Sequence, residues 1–398
     1  MNETAPPRDY GFLHDAIEAA DAVGAVHVGP GEEPSLRYLT GLATDRPVAV
    51  VVADGRAACC PPPGLASATR RTFPGVVRTA DAGEPPGVRA ARTLAALLGP
   101  RIDRDHGVAA PGDAGAVLAP STIPHDAALF LEAAGFALES TAAIERARAG
   151  KRDAELAAME RVQRRAVRGI ERARDLLAAA TVEDGVLVGS GVNVDSGTPL
   201  TAERLRRAVD AALATAGVDP ADGTTVAGGS DRRRDGDGVS PHLRAGEPIV
   251  VDVSPRGRSG YHADLARTLV VEGAGGWERR AHVACRAALR AGLAAVEPGA
   301  PASRVDREVS AELLAHGFGG EDGPEGRQVG HGIGLARHER PVLDRGDTLR
   351  EGTVLAVEPE LTDPEGGVVR LETVAAVIDD GAEVLAEHSL SMDPRDGG

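Results

Sequence analysis

Five residues with the chemistry of metal ligands follow one another through the last third of the chain. They are Asp252, Asp264, His331, Glu358 and Glu372. Each lies in or beside a strand-like or glycine-rich segment, whereas an isolated carboxylate after a strand usually belongs to a turn. One imidazole and four carboxylates suit divalent ions such as Mn²⁺, Co²⁺, Fe²⁺ or Zn²⁺. Because four carboxylates can bridge two ions, the sequence predicts a two-metal site.

The first two acids belong to a predicted β-hairpin. Asp252 ends the apolar run 248–251, and Asp264 follows the turn-rich segment 255–260 and precedes the apolar run 269–271. A hairpin would place the two carboxylates side by side. Buried carboxylates without a partner are costly, so a cation is expected between them.

The other three candidates also lie beside predicted strands. His331 is flanked by glycines in the segment 330–335, and glycine lets the backbone approach a site closely. Glu358 and Glu372 follow the strand-like runs 354–357 and 368–371. The spacing therefore predicts that strand ends present all five ligands.

Two domains are expected from the chain's 398 residues. In the first part of the chain, strand-like runs at 25–28, 48–52 and 107–110 alternate with helical segments such as 89–98, which is typical of an α/β sheet. A charged segment from 143 to 180 carries apolar residues at helical spacing and predicts one amphipathic helix.

Composition excludes several classes of partner and compartment. The net charge of −16 argues against nucleic acid as a partner. No apolar run approaches the ~20 residues of a membrane span, and the polar, proline-rich first ten residues do not resemble a signal peptide. Three cysteines without metal-site spacing favour the reducing cytoplasm.

The basic residues are almost all arginine, because Lys151 is the only lysine. Excess Asp and Glu with scarce lysine predicts a salt-adapted, halophilic protein, since short acids keep a surface hydrated when salt screens their repulsion. Codon bias alone is the alternative explanation.

The order of the five ligands and the motifs around them resemble the pita-bread metallopeptidases, which include Xaa-Pro aminopeptidase, prolidase, methionine aminopeptidase and the creatinase type. The matching motifs are Gly260-Tyr261, Ala263-Asp264, Arg267-Thr268, Gly330-His331-Gly332-Ile333-Gly334-Leu335, His338-Glu339-Arg340-Pro341, Glu358-Pro359 and the segment 366–372. The resemblance is close over 150–398 and loose over 1–145, where the segment 36–41 is similar to a short stretch of the creatinase/prolidase-type domain.

The resemblance implies an α/β (α+β) fold class. An N-terminal creatinase/prolidase-like α/β domain is expected over 1–145, followed by a pita-bread catalytic domain over 146–398. The amphipathic helix would open the second domain. The resemblance also implies a homodimer in which one subunit's N-terminal domain restricts the neighbour's pocket.

The family's ligand roles carry over to the matching positions. Asp252 would bind one metal, and Asp264 and Glu372 would bridge both. His331 and Glu358 would complete the other metal. A hydroxide bridging two divalent ions would then attack the scissile carbonyl, so no serine or cysteine nucleophile is needed.

Further catalytic roles are implied for residues near these ligands. Glu358 would also carry a proton to the leaving nitrogen. His338 would stabilise the tetrahedral intermediate, and Arg370 would orient carboxylates or substrate. Arg267 and Thr268 are candidates for hydrogen bonds that support the ligands.

A second pocket histidine is expected from the family, and His242 in Pro241-His242 is the candidate. It lies only ten positions before Asp252, closer than in the family pattern. Either the charged, glycine-rich loop at 228–238 lets His242 reach the pocket, or that histidine is missing and the substrate differs from Xaa-Pro.

The function implied is hydrolysis of the Xaa-Pro bond at a peptide N-terminus, by an Xaa-Pro aminopeptidase or an Xaa-Pro dipeptidase. The substrate is a small peptide with proline second, and the cofactors are two divalent ions, with Mn²⁺ favoured over Co²⁺, Zn²⁺ or Fe²⁺. One alternative is a creatinase-like or compatible-solute amide hydrolase of the same fold. The other is a non-catalytic peptide-binding homologue.

Overall fold

The chain forms two compact units, Met1–Arg148 and Ala149–Gly398. Their elements are taken from a computed structural model. It describes residues 10–79, 83–99, 112–189, 197–220, 223–228, 242–319, 329–343, 346–363 and 367–396.

The first unit is built on a six-stranded sheet with the order β4-β3-β2-β1-β5-β6. The β1–β2 and β2–β3 pairs are antiparallel, and the β1–β5, β3–β4 and β5–β6 pairs are parallel. The strands are β1 (Gly24–Pro30), β2 (Pro47–Ala53), β3 (Arg56–Cys60), β4 (Val76–Val77), β5 (Ala116–Ala119) and β6 (Ala137–Ser140). The helices are α1 (Gly11–Ala19), α2 (Pro34–Thr40), α3 (Ala66–Thr72), α4 (Pro86–Leu98), α5 (His125–Ala133) and α6 (Ala143–Ala149).

Both faces of this sheet are buried because side chains alternate along each strand. On β2, Val51 packs into the core that contains Leu94 of α4, whereas Val50 packs into the opposite core with Leu39 of α2. A strand buried on both faces reads as a continuous apolar run, which is why 48–52 could be predicted. The predicted runs at 25–28 and 89–98 lie in β1 and α4. The predicted strand at 107–110 lies outside the described residues.

The second unit contains two sheets that matter for the site, with the orders β11-β10-β9 and β12-β13-β16-β17, and two shorter ribbons, β7-β8 and β14-β15. The strands are β7 (Thr181–Glu183), β8 (Val186–Val188), β9 (Thr224–Gly228), β10 (Ile249–Val253), β11 (Leu265–Leu269), β12 (Gly330–Gly332), β13 (Val354–Val357), β14 (Glu360–Asp363), β15 (Gly367–Arg370), β16 (Thr373–Ile378) and β17 (Gly381–Val384). The helices are α7 (Asp153–Ala179), α8 (Ala202–Thr215), α9 (Gly276–Ala294) and α10 (Ser303–Ala315).

Each of the two sheets is covered by a pair of helices. The core beneath β9–β11 joins Ile170 of α7 and Val209 of α8 to Val251 of β10. The second core joins Leu289 of α9 and Val309 of α10 to strand residues that include Val357. β10 and β11 pair antiparallel, so the predicted hairpin is present.

The segment 143–180, predicted as one helix, is two helices with a break at 150–152. At the break the backbone pairs outside the helix. Gly150 forms a β-bridge with Thr353, and the amide of Lys151 donates to the carbonyl of Gly352 at 2.7 Å. The Glu155 carboxylate then accepts from the amide of Arg152 at the start of α7. The prediction was wrong here because these long-range pairings outweigh helical propensity.

Among the residues with described structure, no helix combines the length and apolar character that crossing a membrane requires.

All three cysteines, Cys59, Cys60 and Cys285, are buried and free. Burial raises the pKa of each thiol, which keeps the sulfur protonated and unreactive.

Candidate metal centre

The five predicted ligands lie where the two sheets of the second unit meet. The amide of Glu372, between β15 and β16, donates to the carbonyl of Ala266 on β11 at 3.0 Å and links the two sheets at this point. The ligands are Asp252 on β10, Asp264 directly before β11, His331 on β12, Glu358 directly after β13 and Glu372.

The ligand atoms form two overlapping groups that share Glu372. One group is Asp252, Asp264 and Glu372, and the other is His331, Glu358 and Glu372. Within each group the ligand atoms lie within 4.8 Å of one another. The fold therefore brings all five residues together, although they span 121 sequence positions from 252 to 372.

Several buried lone pairs in this cluster accept no hydrogen bond. Within the described part of the chain, His331 Nε2 and both carboxylate oxygens of Glu372 have no hydrogen-bond partner. His331 Nε2 lies 3.7 Å from Asp264 Oδ2 and 3.6 Å from Glu358 Oε1. Buried acceptors facing one another are unfavourable unless a cation lies between them. The donor set of one imidazole and four carboxylates thus fits divalent metal.

The second nitrogen of His331 fixes which atom is free to bind a metal. Nδ1 lies 3.1 Å from the carbonyl oxygen of Gly332. A carbonyl only accepts, so Nδ1 carries the proton and Nε2 presents its lone pair to the cluster. Burial lowers the pKa of His331 to about 4. The imidazole is therefore neutral at physiological pH, as a metal ligand must be.

Crowding and burial hold the two glutamates partly in the protonated form. Burial raises the pKa of Glu358 to about 7, with Arg370 opposing the rise and Asp264 and Asp252 adding to it. Burial and the Asp264 charge raise the pKa of Glu372 well above its ordinary value. Bound cations would reverse both shifts, because they favour the ionised carboxylates.

The backbone around Asp264 is fixed by a residue of α7. The side-chain amide of Gln163 donates to the carbonyl of Asp264 at 2.8 Å and accepts from its amide at 3.2 Å. The hydroxyl of Ser254 donates to Asp264 Oδ1 at 2.6 Å. These contacts set the carboxylate's direction, and neither Gln163 nor Ser254 was predicted to matter. A glutamine in a helix and a serine after a strand carry no local signal of such a role.

Arg267 and Thr268 support the strand segment that ends in Glu372. Arg267 is buried and donates to the carbonyls of Glu372 and Ala266. The hydroxyl of Thr268 donates to the carbonyl of Arg370 and accepts from its amide, both at 2.8 Å. Both residues thus make the kind of supporting contact that the sequence suggested.

Two arginines reach into the carboxylate cluster. Arg370 forms ion pairs with Glu358, with Asp252 at 3.4 Å and with Glu372 at 3.7 Å. Arg337 pairs with Asp264 at 3.0 Å and with Asp252 at 3.5 Å. Arg370 was a candidate from sequence, whereas Arg337 was missed because nothing local distinguishes it from a surface loop arginine.

The two predicted pocket histidines differ in position. The ring of His338 lies against that of His331, with centroids 3.9 Å apart and planes inclined by 35°. His338 also belongs to a third ligand group, with Asp264 and His331. Unlike those two residues, His338 is exposed to solvent. His242 is exposed and forms a β-bridge with Thr201. It belongs to none of the groups found in the described residues, and residues 229–241 before it lie outside them.

The segment carrying Arg337 and His338 is held by a buried ion pair. Lys151 Nζ donates to Glu339 Oε1 at 2.9 Å, and Glu339 Oε2 accepts from the amide of Ala336 at 3.2 Å. The side chains are 1% and 7% exposed, so the pair is nearly dehydrated. A buried, satisfied pair of this kind holds the loop backbone in one arrangement.

One known family matches the second unit of the chain, and curated relatives match part of the chain. The family described as Metallopeptidase family M24 matches residues 157–379, which is more than half of the chain. The chain is 32% identical over 172 residues to the probable dipeptidase PepE of Mycobacterium tuberculosis, covering 39% of this chain and 44% of that protein. It is 28% identical over 152 residues to the Xaa-Pro dipeptidase of Pyrococcus furiosus, covering 38% and 42%. The match thus spans less than half the length of these curated relatives.

Solved structures resemble the chain over nearly its whole length. The prolidase from Pyrococcus horikoshii OT3 has a TM-score of 0.76 at 17% identity, covering 96% of this chain and 99% of that one. The dipeptidase PepE from Mycobacterium ulcerans has a TM-score of 0.73 at 22% identity, covering 98% and 99%. At such identities the likeness concerns the fold, and it confirms the predicted α/β class of an N-terminal domain followed by a pita-bread domain.

Proposed function

We propose that this chain, which belongs to metallopeptidase family M24, is a metal-dependent peptidase that hydrolyses the Xaa-Pro bond at the N-terminus of small peptides. The observation that carries the proposal is the cluster of buried lone pairs on His331 Nε2 and Glu372, which have no hydrogen-bond partner among the described residues. The names of the relatives, dipeptidase and Xaa-Pro dipeptidase, support the choice of substrate.

The two ligand groups correspond to two metal positions. Asp252 would hold one ion and His331 with Glu358 the other, and Asp264 and Glu372 would be shared between the two. Divalent ions bound there would lower the pKa of a water molecule toward neutrality and polarise the scissile carbonyl. The predominance of oxygen ligands favours Mn²⁺, while Co²⁺, Zn²⁺ and Fe²⁺ suit the same donors.

Proton transfer to the leaving nitrogen is assigned to Glu358. Its carboxylate belongs to the ligand group with His331 and Glu372, so it would lie beside the metal-bound water whose proton it carries. Arg370 contacts the same carboxylate and stabilises its ionised form after the proton has left.

Substrate contacts are assigned to the exposed side of the cluster. His338 stacks on His331 and is exposed to solvent, so it can donate a hydrogen bond to the oxygen of the tetrahedral intermediate. The role predicted for His242 stays a prediction, because its exposed side chain belongs to neither ligand group.

Three finer assignments belong to this proposal. We propose a homodimer on the family resemblance, and light scattering of the eluting protein tests it. We propose the cytoplasm because the three cysteines are free and buried. We propose salt adaptation because the chain has a net charge of −16 and one lysine. Activity measured across a KCl series tests this last point.

The decisive experiment measures proline released from Ala-Pro beside cleavage of an Ala-Pro-Xaa tripeptide, in KCl, with Mn²⁺ and then with chelator. Ala-Ala and Ala-Ala-Xaa serve as matched substrates without proline. Chelator-sensitive cleavage of the proline peptides alone is expected. Preference for the dipeptide would indicate a prolidase, and preference for the tripeptide an aminopeptidase. Bound metal without cleavage of any peptide would overturn the substrate assignment and favour a non-peptide amide.

A further inference from the structure

We infer that Arg337 is a tethered cation that competes with divalent metal for the Asp252–Asp264 pair. A divalent ion would take the oxygens of this pair only when Arg337 withdraws. This inference rests on the proposed metal site, and its test separates the two.

Arg337 contacts the oxygens that a metal would need. Its Nε lies 3.0 Å from Asp264 Oδ2, and its Nη2 lies 3.4 Å from Asp264 Oδ1 and 3.5 Å from Asp252 Oδ1. The planar guanidinium therefore engages both oxygens of Asp264 and one of Asp252. A carboxylate held in this forked geometry is not free to bind an ion with the same oxygens.

The oxygens that Arg337 holds serve more than one group of ligands. Asp252 and Asp264 both belong to the all-carboxylate group, and Asp264 also belongs to the group with His331 and His338. Asp264 Oδ2 lies 3.0 Å from Arg337 Nε and 3.7 Å from His331 Nε2. Arg337 therefore competes with metal wherever Asp264 is a ligand.

Charge points the same way. Arg337 places a positive charge on carboxylate oxygens that a divalent ion would also need, and two cations at the same oxygens repel each other.

The side chain of Arg337 has room to leave, whereas the acids it contacts do not. Arg337 is 33% exposed, and the Asp264 carboxylate is 0% exposed. Glu339, two residues further on, is tied to buried Lys151. The loop backbone can therefore stay fixed while the long guanidinium side chain rotates toward solvent.

The test is equilibrium dialysis against Mn²⁺ followed by metal analysis, with the wild-type chain, Arg337→Gln and Arg337→Lys. Arg337→Gln removes the competing charge at similar size, so it should tighten Mn²⁺ binding to the cluster by about tenfold or more. Arg337→Lys keeps the charge but loses the forked geometry, so its affinity should lie between those of the wild type and Arg337→Gln.

Arg350→Gln is the matched control, because Arg350 is an exposed arginine beyond the cluster. It should bind Mn²⁺ like the wild type. Circular dichroism of each variant checks the fold independently of metal. If Arg337→Gln and the wild type show the same Mn²⁺ affinity, the competition is refuted while the metal site stands. If no variant binds Mn²⁺ at all, the proposed function fails as well.

Discussion

Protons and metal ions compete for the same carboxylates in the cluster. Burial raises the pKa of Glu358 to about 7 and that of Glu372 well above its ordinary value. Metal binds the ionised forms, so binding at pH 6 must expel protons that are absent at higher pH. Affinity should therefore rise as pH increases through 7. His331 adds no such dependence until pH approaches 4, where its own pKa lies.

Calorimetry of Mn²⁺ binding in buffers of different ionisation enthalpy counts the released protons. We expect about one proton or more per chain at pH 6 and fewer at pH 8, because Glu358, with a pKa of about 7, is mostly protonated at pH 6 and mostly ionised at pH 8. Glu358→Gln carries no titrating proton at that position and should release fewer at pH 6. Equal proton release at both pH values would contradict the raised pKa of these acids.

Single ligands can be removed without removing the fold. Asp264→Asn and Glu372→Ala should each lose at least one bound metal and abolish turnover. Both positions are 0% exposed and lie among other acids. Asp264→Asn weakens the ion pair with Arg337, and Glu372→Ala leaves a buried cavity, so each metal-free variant should unfold more easily than the metal-free wild type. Metal content, turnover and thermal unfolding are measured together, and unchanged turnover in either variant would falsify the two-metal assignment.

At the scale of elements, the loop that carries Arg337 and His338 depends on the Lys151–Glu339 pair. Glu339→Gln leaves the Lys151 charge buried without its counter-charge, which typically costs about 3–5 kcal/mol. We expect the free energy of unfolding in urea to fall by that order and turnover to fall with it. The double variant Lys151→Met with Glu339→Gln should recover part of the loss. No recovery in the double variant would show that the two side chains are not coupled.

Local sequence patterns predict a structural feature only when the interacting residues are close together in the chain. The hairpin of β10 and β11 could be predicted, because apolar runs and turn residues are neighbours in sequence. The end of α6 before Gly150 could not be predicted, because Gly150 forms its β-bridge with Thr353, which is distant in the sequence. The Lys151–Glu339 pair joins positions 188 apart, and no pattern near either residue indicates it.

The candidate site also contains residues that local sequence indicates and residues that it does not. The five metal-ligand candidates could be proposed from sequence because each follows or begins a strand, where residue type is informative. Arg337 could not, since an arginine between a glycine-rich strand and His338 is an ordinary loop residue. Only the fold shows that its guanidinium lies against Asp264 and Asp252.

At the scale of the whole molecule, the five metal-ligand candidates all lie in the unit Ala149–Gly398. An ion that binds the folded state alone stabilises it by about 2.7 kcal/mol at one hundred times its Kd. Mn²⁺ should therefore raise the unfolding temperature of that unit and leave the transition of Met1–Arg148 unchanged. Scanning calorimetry with Mn²⁺ and with chelator measures both transitions. An equal shift in both would show instead that the units unfold together.

Lys151 is the only lysine in the chain, and its side chain is 1% exposed. The folded surface therefore offers acylating reagents no lysine amine. Modification of Lys151 requires the ammonium to leave Glu339, and this frees the segment that carries His338. The rate at which Lys151 is acylated can be measured by mass spectrometry. That rate would report how often Glu339, and with it the segment that carries His338, separates from Lys151.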